Sequence, residues 1–227
     1  MKTQAIVPAA GSGQRLKFKI PKPLVLLKSK PLIVYCLEKF QKCSLIDSVI
    51  LVVQKKYLAR FKSIIKNYRL TKVVHVIGGG KTRRDSVVLG LKVLDKDTDF
   101  ILVHDGARPF IEESLIERTI AQAAKHQAVI ASVPVKPTIK QVNCKKFIVE
   151  KTLERSTLWE VQTPQVFKKD ILIKAHAQPI TSEITDDAAL VEKLGIDVHV
   201  VMGDYRNIKI TTPEDLVLAE ALLDSRN

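Results

Sequence analysis

Cysteine is scarce in this chain: Cys36, Cys43 and Cys144 are the whole set, odd in number and without CxxC or metal-ligand spacing. That argues against a disulfide-framed secreted domain and a structural zinc site, and predicts reduced, mostly packed thiols. Long apolar runs are missing too. No stretch approaches the roughly 18 apolar residues of a membrane span. The opening MKTQAIVPAAG is too briefly apolar for a secretory signal and runs straight into strand and loop. A cytoplasmic chain with no membrane partner is expected. Internal repeats and low-complexity tracts are also absent, which excludes solenoids and disordered arrays.

Acidic residues are short in one region. Residues 1–70 carry 15 Lys and Arg against only Glu38 and Asp47, while the remainder carries 22 of each sign, so the net charge of +13 resides in the first third. One source is the segment 54–68. There Tyr57, Leu58, Phe61, Ile64, Ile65 and Tyr68 recur at helical spacing, with Lys55, Lys56, Arg60, Lys62 and Lys66 on the other side. This predicts a core-facing helix with a solvated basic back. No aromatic platform interleaves with the lysines, which argues against nucleic acid as a partner, whereas attraction of a small polyanion remains compatible.

With 227 residues the chain suits one large α/β domain carrying an arm. β-rich runs at 4–7, 49–53, 73–77, 100–104, 129–133 and 198–202 alternate with amphipathic stretches at 32–41, 86–94, 114–125, 186–194 and 213–223. That order predicts a mainly parallel sheet covered by helices on both faces, with ligands at the carboxyl ends of its strands. Thr212, Pro213, Glu214 and Asp215 mark the start of the last helix. Residues 134–162 break the alternation. Their prolines and two polar strand-like stretches around Lys145-Lys146 read as a hairpin arm that buries little alone and pairs with a second copy of the chain.

The most informative segment follows the first run: Ala9-Ala10-Gly11-Ser12-Gly13-Gln14-Arg15-Leu16, with Lys22 beyond it. Glycines let backbone approach a phosphate, and two cations arrive at the same place. A dinucleotide fingerprint needs a third glycine where Leu16 stands, and a P-loop needs Gly-Lys-Ser/Thr, so a nicotinamide oxidoreductase is disfavoured. The loop reads as one that stabilises charge at a reacting phosphorus. Gly78-Gly79-Gly80-Lys81-Thr82-Arg83-Arg84-Asp85-Ser86 is either a second anion- or base-binding loop or a plain turn before a capped helix. Asp105 in His104-Asp105-Gly106-Ala107-Arg108-Pro109 suits Mg²⁺, or else pairs with Arg108 as a turn salt bridge. His104 reads as structural. Trp159 reads as a packing residue rather than a stacking platform. Asp186 and Asp187 read first as a helix start, and Lys209 falls in a short strand before the last helix.

Taken together, VPAAGSGQRL, Pro21-Lys22, GGGKTRRDSV, VHDGARP, PTIK, ERSTLW, QTPQVF, ITDDAAL and NIKITTPEDL, in that order, resemble the 2-C-methyl-D-erythritol 4-phosphate cytidylyltransferase family along nearly the whole chain. The resemblance implies a Rossmann-like fold, a β-arm that forms a homodimer, and Mg²⁺ as cofactor. It implies CTP and methylerythritol phosphate as substrates, with a ribitol 5-phosphate cytidylyltransferase as the nearest alternative. By the same resemblance Arg15 and Lys22 are the catalytic pair at the α-phosphorus. Arg155, Lys209, Thr138, Asp105 and Arg108 position the acceptor, Arg155 and Thr138 reaching from the arm into the neighbouring subunit. Pro8, Ala9, Ala10, Gly11, Gly13, Gly79, Gly80, Arg83 and Ser86 hold the nucleotide, and Asp105 the metal.

Overall fold

A computed structural model describes residues 1–11, 20–179 and 184–225. Strand β1 (Thr3–Ala9) precedes a short hairpin, β2 (Leu26–Leu27) and β3 (Lys30–Pro31), which leads into α1 (Leu32–Lys42). Then come β4 (Ser48–Val53), α2 (Leu58–Asn67), β5 (Val73–Gly78), α3 (Arg83–Leu91), β6 (Phe100–Val103), α4 (Glu113–His126) and β7 (Ala128–Pro134). The remainder is β8 (Lys140–Asn143), β9 (Ile148–Thr152), β10 (Trp159–Lys168), α5 (Lys169–Ala177), α6 (Ala188–Glu192), β11 (His199–Met202) and α7 (Pro213–Asp224). Seven strands form one sheet in the order β11-β7-β10-β6-β1-β4-β5, and within it β10 alone runs antiparallel to its neighbours.

Period-2 side-chain alternation divides the core between the two faces. Ala5, Val7 and Ala9 of β1 point to one side, where Ile33, Leu37 and Phe40 of α1, Phe61 of α2 and Ile116 and Ile120 of α4 cover them. Ile6, between them, joins Ile50, Val52, Ile101 and Val103 on the other side under Val87 of α3, Leu172 of α5 and Leu190 of α6. A mainly parallel sheet buried on both faces, as expected from the alternation of runs, results. A third apolar group, Leu27, Leu32, Phe110, Ile210 and Ala219, seats α7 against the hairpin of β2 and β3. The start of α7 is as read: Thr212 and Asp215 form a reciprocal capping box with Pro213 in the first turn.

Several expectations need correction. The stretch 159–168, whose first residues were assigned to the arm, is β10, and Gln162 to Phe167 are buried in the middle of the sheet. Pro164 and the polar Gln-Thr pair disguise it, because proline cannot donate to a ladder. The register shift between Val161 and Gln165 accommodates that residue. The true hairpin is β8 paired antiparallel with β9, exposed along almost its whole length. Trp159 is 40% exposed instead of packed. No strand forms at Lys209; the chain there is irregular, tied by Ile210 N–H to the Ala107 carbonyl at 2.9 Å. Helix 186–194 shrinks to α6, and α3 starts three residues before the expected Ser86 because Thr82 caps it. Cys36 and Cys43 are buried while Cys144 is exposed. Among the described residues no helix is long and apolar enough to cross a membrane.

Phe40 is fully buried and meets the His104 ring edge-on at 5.3 Å between centroids. Phe40→Ala is expected to lower the unfolding free energy by about 3–5 kcal/mol in urea titrations. A loss below about 1 kcal/mol would contradict this packing.

Candidate active site

The chain leaves β1 toward β4 and β5 on one side and places β6 on the other, so a crevice opens where the carboxyl ends of β1 and β6 diverge. A cleft of about 400 Å³ lies there, walled by Pro8, Ala9, Ala10 and Gly11 after β1, Lys22 and Pro23, the run 80–83 with Ser86, and Asp105, Ala107 and Lys209. A second recess of about 380 Å³ adjoins it. Arg108, Thr163, Gln165 and Asp186 are among its walls, and it shares Arg83, Asp105 and Lys209 with the first.

Close backbone approach builds the first cleft. A Cβ on Gly79 would lie 2.3 Å from the Ala10 Cβ and 2.9 Å from Ser86 Oγ, so only glycine lets the two loops touch. Thr82 Oγ1 accepts from Asp85 N–H and Asp85 Oδ2 accepts from Thr82 N–H, both at 3.0 Å, while Ser86 Oγ accepts from Gly80 N–H at 3.3 Å. The helix is therefore capped, and its N-terminal residues also line the cleft.

Asp105 is the electrostatic centre. Its Oδ1 accepts from Arg83 Nε at 2.8 Å and its Oδ2 lies 2.6 Å from Lys209 Nζ. Burial alone would raise the Asp105 carboxyl, but Arg83 and Lys209 overcome it and hold it far below the usual carboxylate range. The alternative pairing with Arg108 does not form. Arg108 instead donates from Nη1 to the Asn207 carbonyl at 2.6 Å and from Nη2 to that of Val161 at 3.3 Å. Arg83 also donates from Nη1 to Asp187 Oδ2 at 2.7 Å.

His104 anchors the base of the site. Its Nε2 is 3.0 Å from the Arg108 carbonyl, which can only accept, so Nε2 carries the proton and Nδ1 accepts from the Thr163 hydroxyl at 3.0 Å. Thr163 Oγ1 in turn accepts from Asp105 N–H at 3.1 Å. Burial pushes the His104 imidazole down to about 4, consistent with a structural neutral ring.

Of the residues picked from the sequence, Pro8, Ala9, Ala10, Gly11, Lys22, Gly80, Arg83, Ser86, Asp105 and Lys209 converge on the first cleft, and Arg108 on the second. Gly79 packs behind the first. Gly13 and Arg15 lie outside the described residues. Thr138 and Arg155 line neither cavity; both are exposed beside the hairpin, with Arg155 Nη1 donating to the Lys136 carbonyl at 2.7 Å. Sequence reasoning missed Thr163, concealed in the unrecognised β10, and named Lys81 and Thr82 only as part of the second glycine loop, without a role of their own at the first cleft. It also read Asp186 and Asp187 together as a helix start, and the structure separates them. Asp186 does cap α6, accepting from Ala189 N–H at 3.0 Å, but Asp187 turns inward to Arg83.

A family model described as 2-C-methyl-D-erythritol 4-phosphate cytidylyltransferase (IspD) matches residues 3–225. The chain belongs to that family. It is 46% identical over 230 residues to the 2-C-methyl-D-erythritol 4-phosphate cytidylyltransferase of Alkaliphilus metalliredigens, covering 99% of this chain and 94% of that one. Among solved structures, the 4-diphosphocytidyl-2C-methyl-D-erythritol synthase of Anaerococcus prevotii superposes with a TM-score of 0.87 at 33% identity, covering 98% and 96% of the two chains. The cytidylyltransferase of Thermus thermophilus does so at 0.81 and 30% identity, covering 99% and 100%. The family match spans both cavities and the hairpin.

Because the folded-state value of His104 lies below that of a free imidazole, the unfolded chain takes up the proton first. Its contribution is complete above about pH 6.5 and is lost as pH falls toward about 4, amounting to roughly 3 kcal/mol. Urea unfolding across that window should show the decline, and His104→Gln should flatten it; an unchanged slope in the variant would contradict the assignment.

Proposed function

We propose that this enzyme transfers the cytidylyl group of CTP to 2-C-methyl-D-erythritol 4-phosphate, releasing pyrophosphate. One observation carries the geometry: two adjoining recesses share Arg83, Asp105 and Lys209, so a nucleotide in the first and a phosphorylated acceptor in the second would meet at one set of fixed charges. A phosphate oxygen of the acceptor forms a bond to the α-phosphorus as the bond to the pyrophosphate oxygen breaks. The attacking phosphate is already ionised, so no general base or covalent nucleophile is required. The obstacle is repulsion between two polyanions. One cation at 4 Å is worth about 4 kcal/mol against it at an effective dielectric of 20.

Within this reading the loop after β1 and the run 79–86 hold the nucleotide. Arg15 and Lys22 stabilise the pentacovalent phosphorus, while Lys209 and Arg108 face the acceptor. The neighbouring subunit's hairpin supplies Arg155 and Thr138. Mg²⁺ fits the donor set, since Asp105 is an ionised carboxylate on the cleft wall and its Lys209 partner is 39% exposed. When bound with the triphosphate it supplies charge neutralisation at the phosphate oxygens. Residues 1–227 act as one nucleotidyltransferase domain with its arm at about 135–158, between the end of β7 and the start of β10. Unpaired cysteines suit the cytoplasm.

Pyrophosphate release is expected from CTP with methylerythritol phosphate and to be far slower with ATP, GTP or UTP. Preference for ribitol 5-phosphate as acceptor would redirect the assignment. Lys22→Ala and Arg15→Ala should each lower kcat roughly 100-fold or more, with little change in CTP affinity; near-normal kcat in both refutes their roles. The hairpin exposes Phe147 at 87%, Ile148 at 59% and Val149 at 54%, which supports dimerisation through it. Sedimentation should then find a dimer at micromolar concentration and a monomer for Phe147→Glu; a monomeric parent removes the arm from the site.

A further inference from the structure

Two buried side chains stand directly behind the shared wall of the recesses and line neither of them. Asp187, its side chain 1% exposed, receives Arg83 Nη1 on Oδ2 at 2.7 Å and His176 Nε2 on Oδ1 at 3.0 Å. His176, 2% exposed, comes from α5. The neighbouring Arg84 ties the same unit to α3, donating from Nη2 to the His176 carbonyl at 2.7 Å and the Gln178 carbonyl at 3.2 Å. Neither Asp187 nor His176 can touch a substrate in either recess, yet both are joined to Arg83, which walls both.

A guanidinium beside a single carboxylate tends to offer it two parallel donors. Arg83 does not do so here: Nε goes to Asp105 and Nη1 to Asp187, which leaves Asp105 Oδ2 to Lys209. We propose that Asp187, itself fixed by His176, is a positioning residue that holds Arg83 in this divided arrangement, so that Arg83 and Lys209 both remain aimed at the reacting substrates. The inference rests on the cytidylyltransferase reading above. A purely structural role is the poorer explanation, because a buried ionic group is generally matched or bettered for stability by apolar side chains of similar volume. Without Asp187, Arg83 swings fully onto Asp105 and the Asp105 contact to Lys209 is weakened.

The test is a kinetic cycle on the full-length enzyme, assaying pyrophosphate release from CTP and methylerythritol phosphate while thermal unfolding is followed alongside. Asp187→Asn and His176→Leu should each lower kcat/KM at least about ten-fold while unfolding stays cooperative, and His176→Gln, which keeps a donor for Asp187, should stay within about three-fold of the parent. In an Arg83→Gln background, Asp187→Asn should cost less than about two-fold more, since its partner is already gone. Full additivity there, or a His176→Leu enzyme as active as the parent, overturns the inference while leaving the reaction assignment intact. An inactive parent overturns that assignment and the inference with it. Should Asp187→Asn fail to fold, the contrast between His176→Leu and His176→Gln decides alone, and equal activity of the two overturns the proposal.

Discussion

Alternating charge, anchored on two buried carboxylates, organises this molecule around its cleft. Lys209, Asp105, Arg83 and Asp187 form an unbroken run of opposite signs, with contacts of 2.6, 2.8 and 2.7 Å. Each comes from a different part of the chain: the approach to α7, the end of β6, the start of α3 and the start of α6. Neither aspartate would stay ionised in this depth without its cations, and Arg83 would be costly to bury without both carboxylates. The network therefore ties the four segments together at the cleft.

That run sums to zero. Two of the cleft's cations are already neutralised before any ligand arrives, so the positive potential that draws in a polyanion comes from elsewhere. Lys81 lines the same cleft, and the basic excess of the first 70 residues stands behind it. The division is useful. Paired cations are aimed by their carboxylates, whereas the unbalanced charge of the first third supplies the long-range attraction.

Much of this was legible in the sequence. Strands β1, β4 and β6 and the helices between them were found because runs of apolar residues with clear punctuation admit few alternatives. The glycine loops and Asp105 were found because strand, turn and helix signals put them at carboxyl ends. What stayed hidden obeys other rules. Strand β10 carries a proline and polar residues in its buried half, since Gln162, Thr163 and Gln165 serve the second recess, and local propensity misreads residues chosen for a site. Asp187 looks like a cap because it sits beside one. Nothing within ten residues of it reveals that its partner is Arg83, more than a hundred positions earlier. Lys209 was placed by family pattern alone, as no local signal distinguishes it from a solvated lysine.

Strands β7 and β10 are neighbours, and Pro134 at the end of one lies opposite Trp159 at the start of the other. The chain thus leaves and re-enters the sheet at a single rung, which makes residues 135–158 a detachable excursion in the topological sense. Lengthening or trimming it shifts no register in the core, and the entropic penalty of a longer detour rises only logarithmically, about 0.6 kcal/mol per doubling. Changes of length in this projection can therefore leave the fold that carries it untouched, and what constrains them is the arm's own residues rather than the sheet.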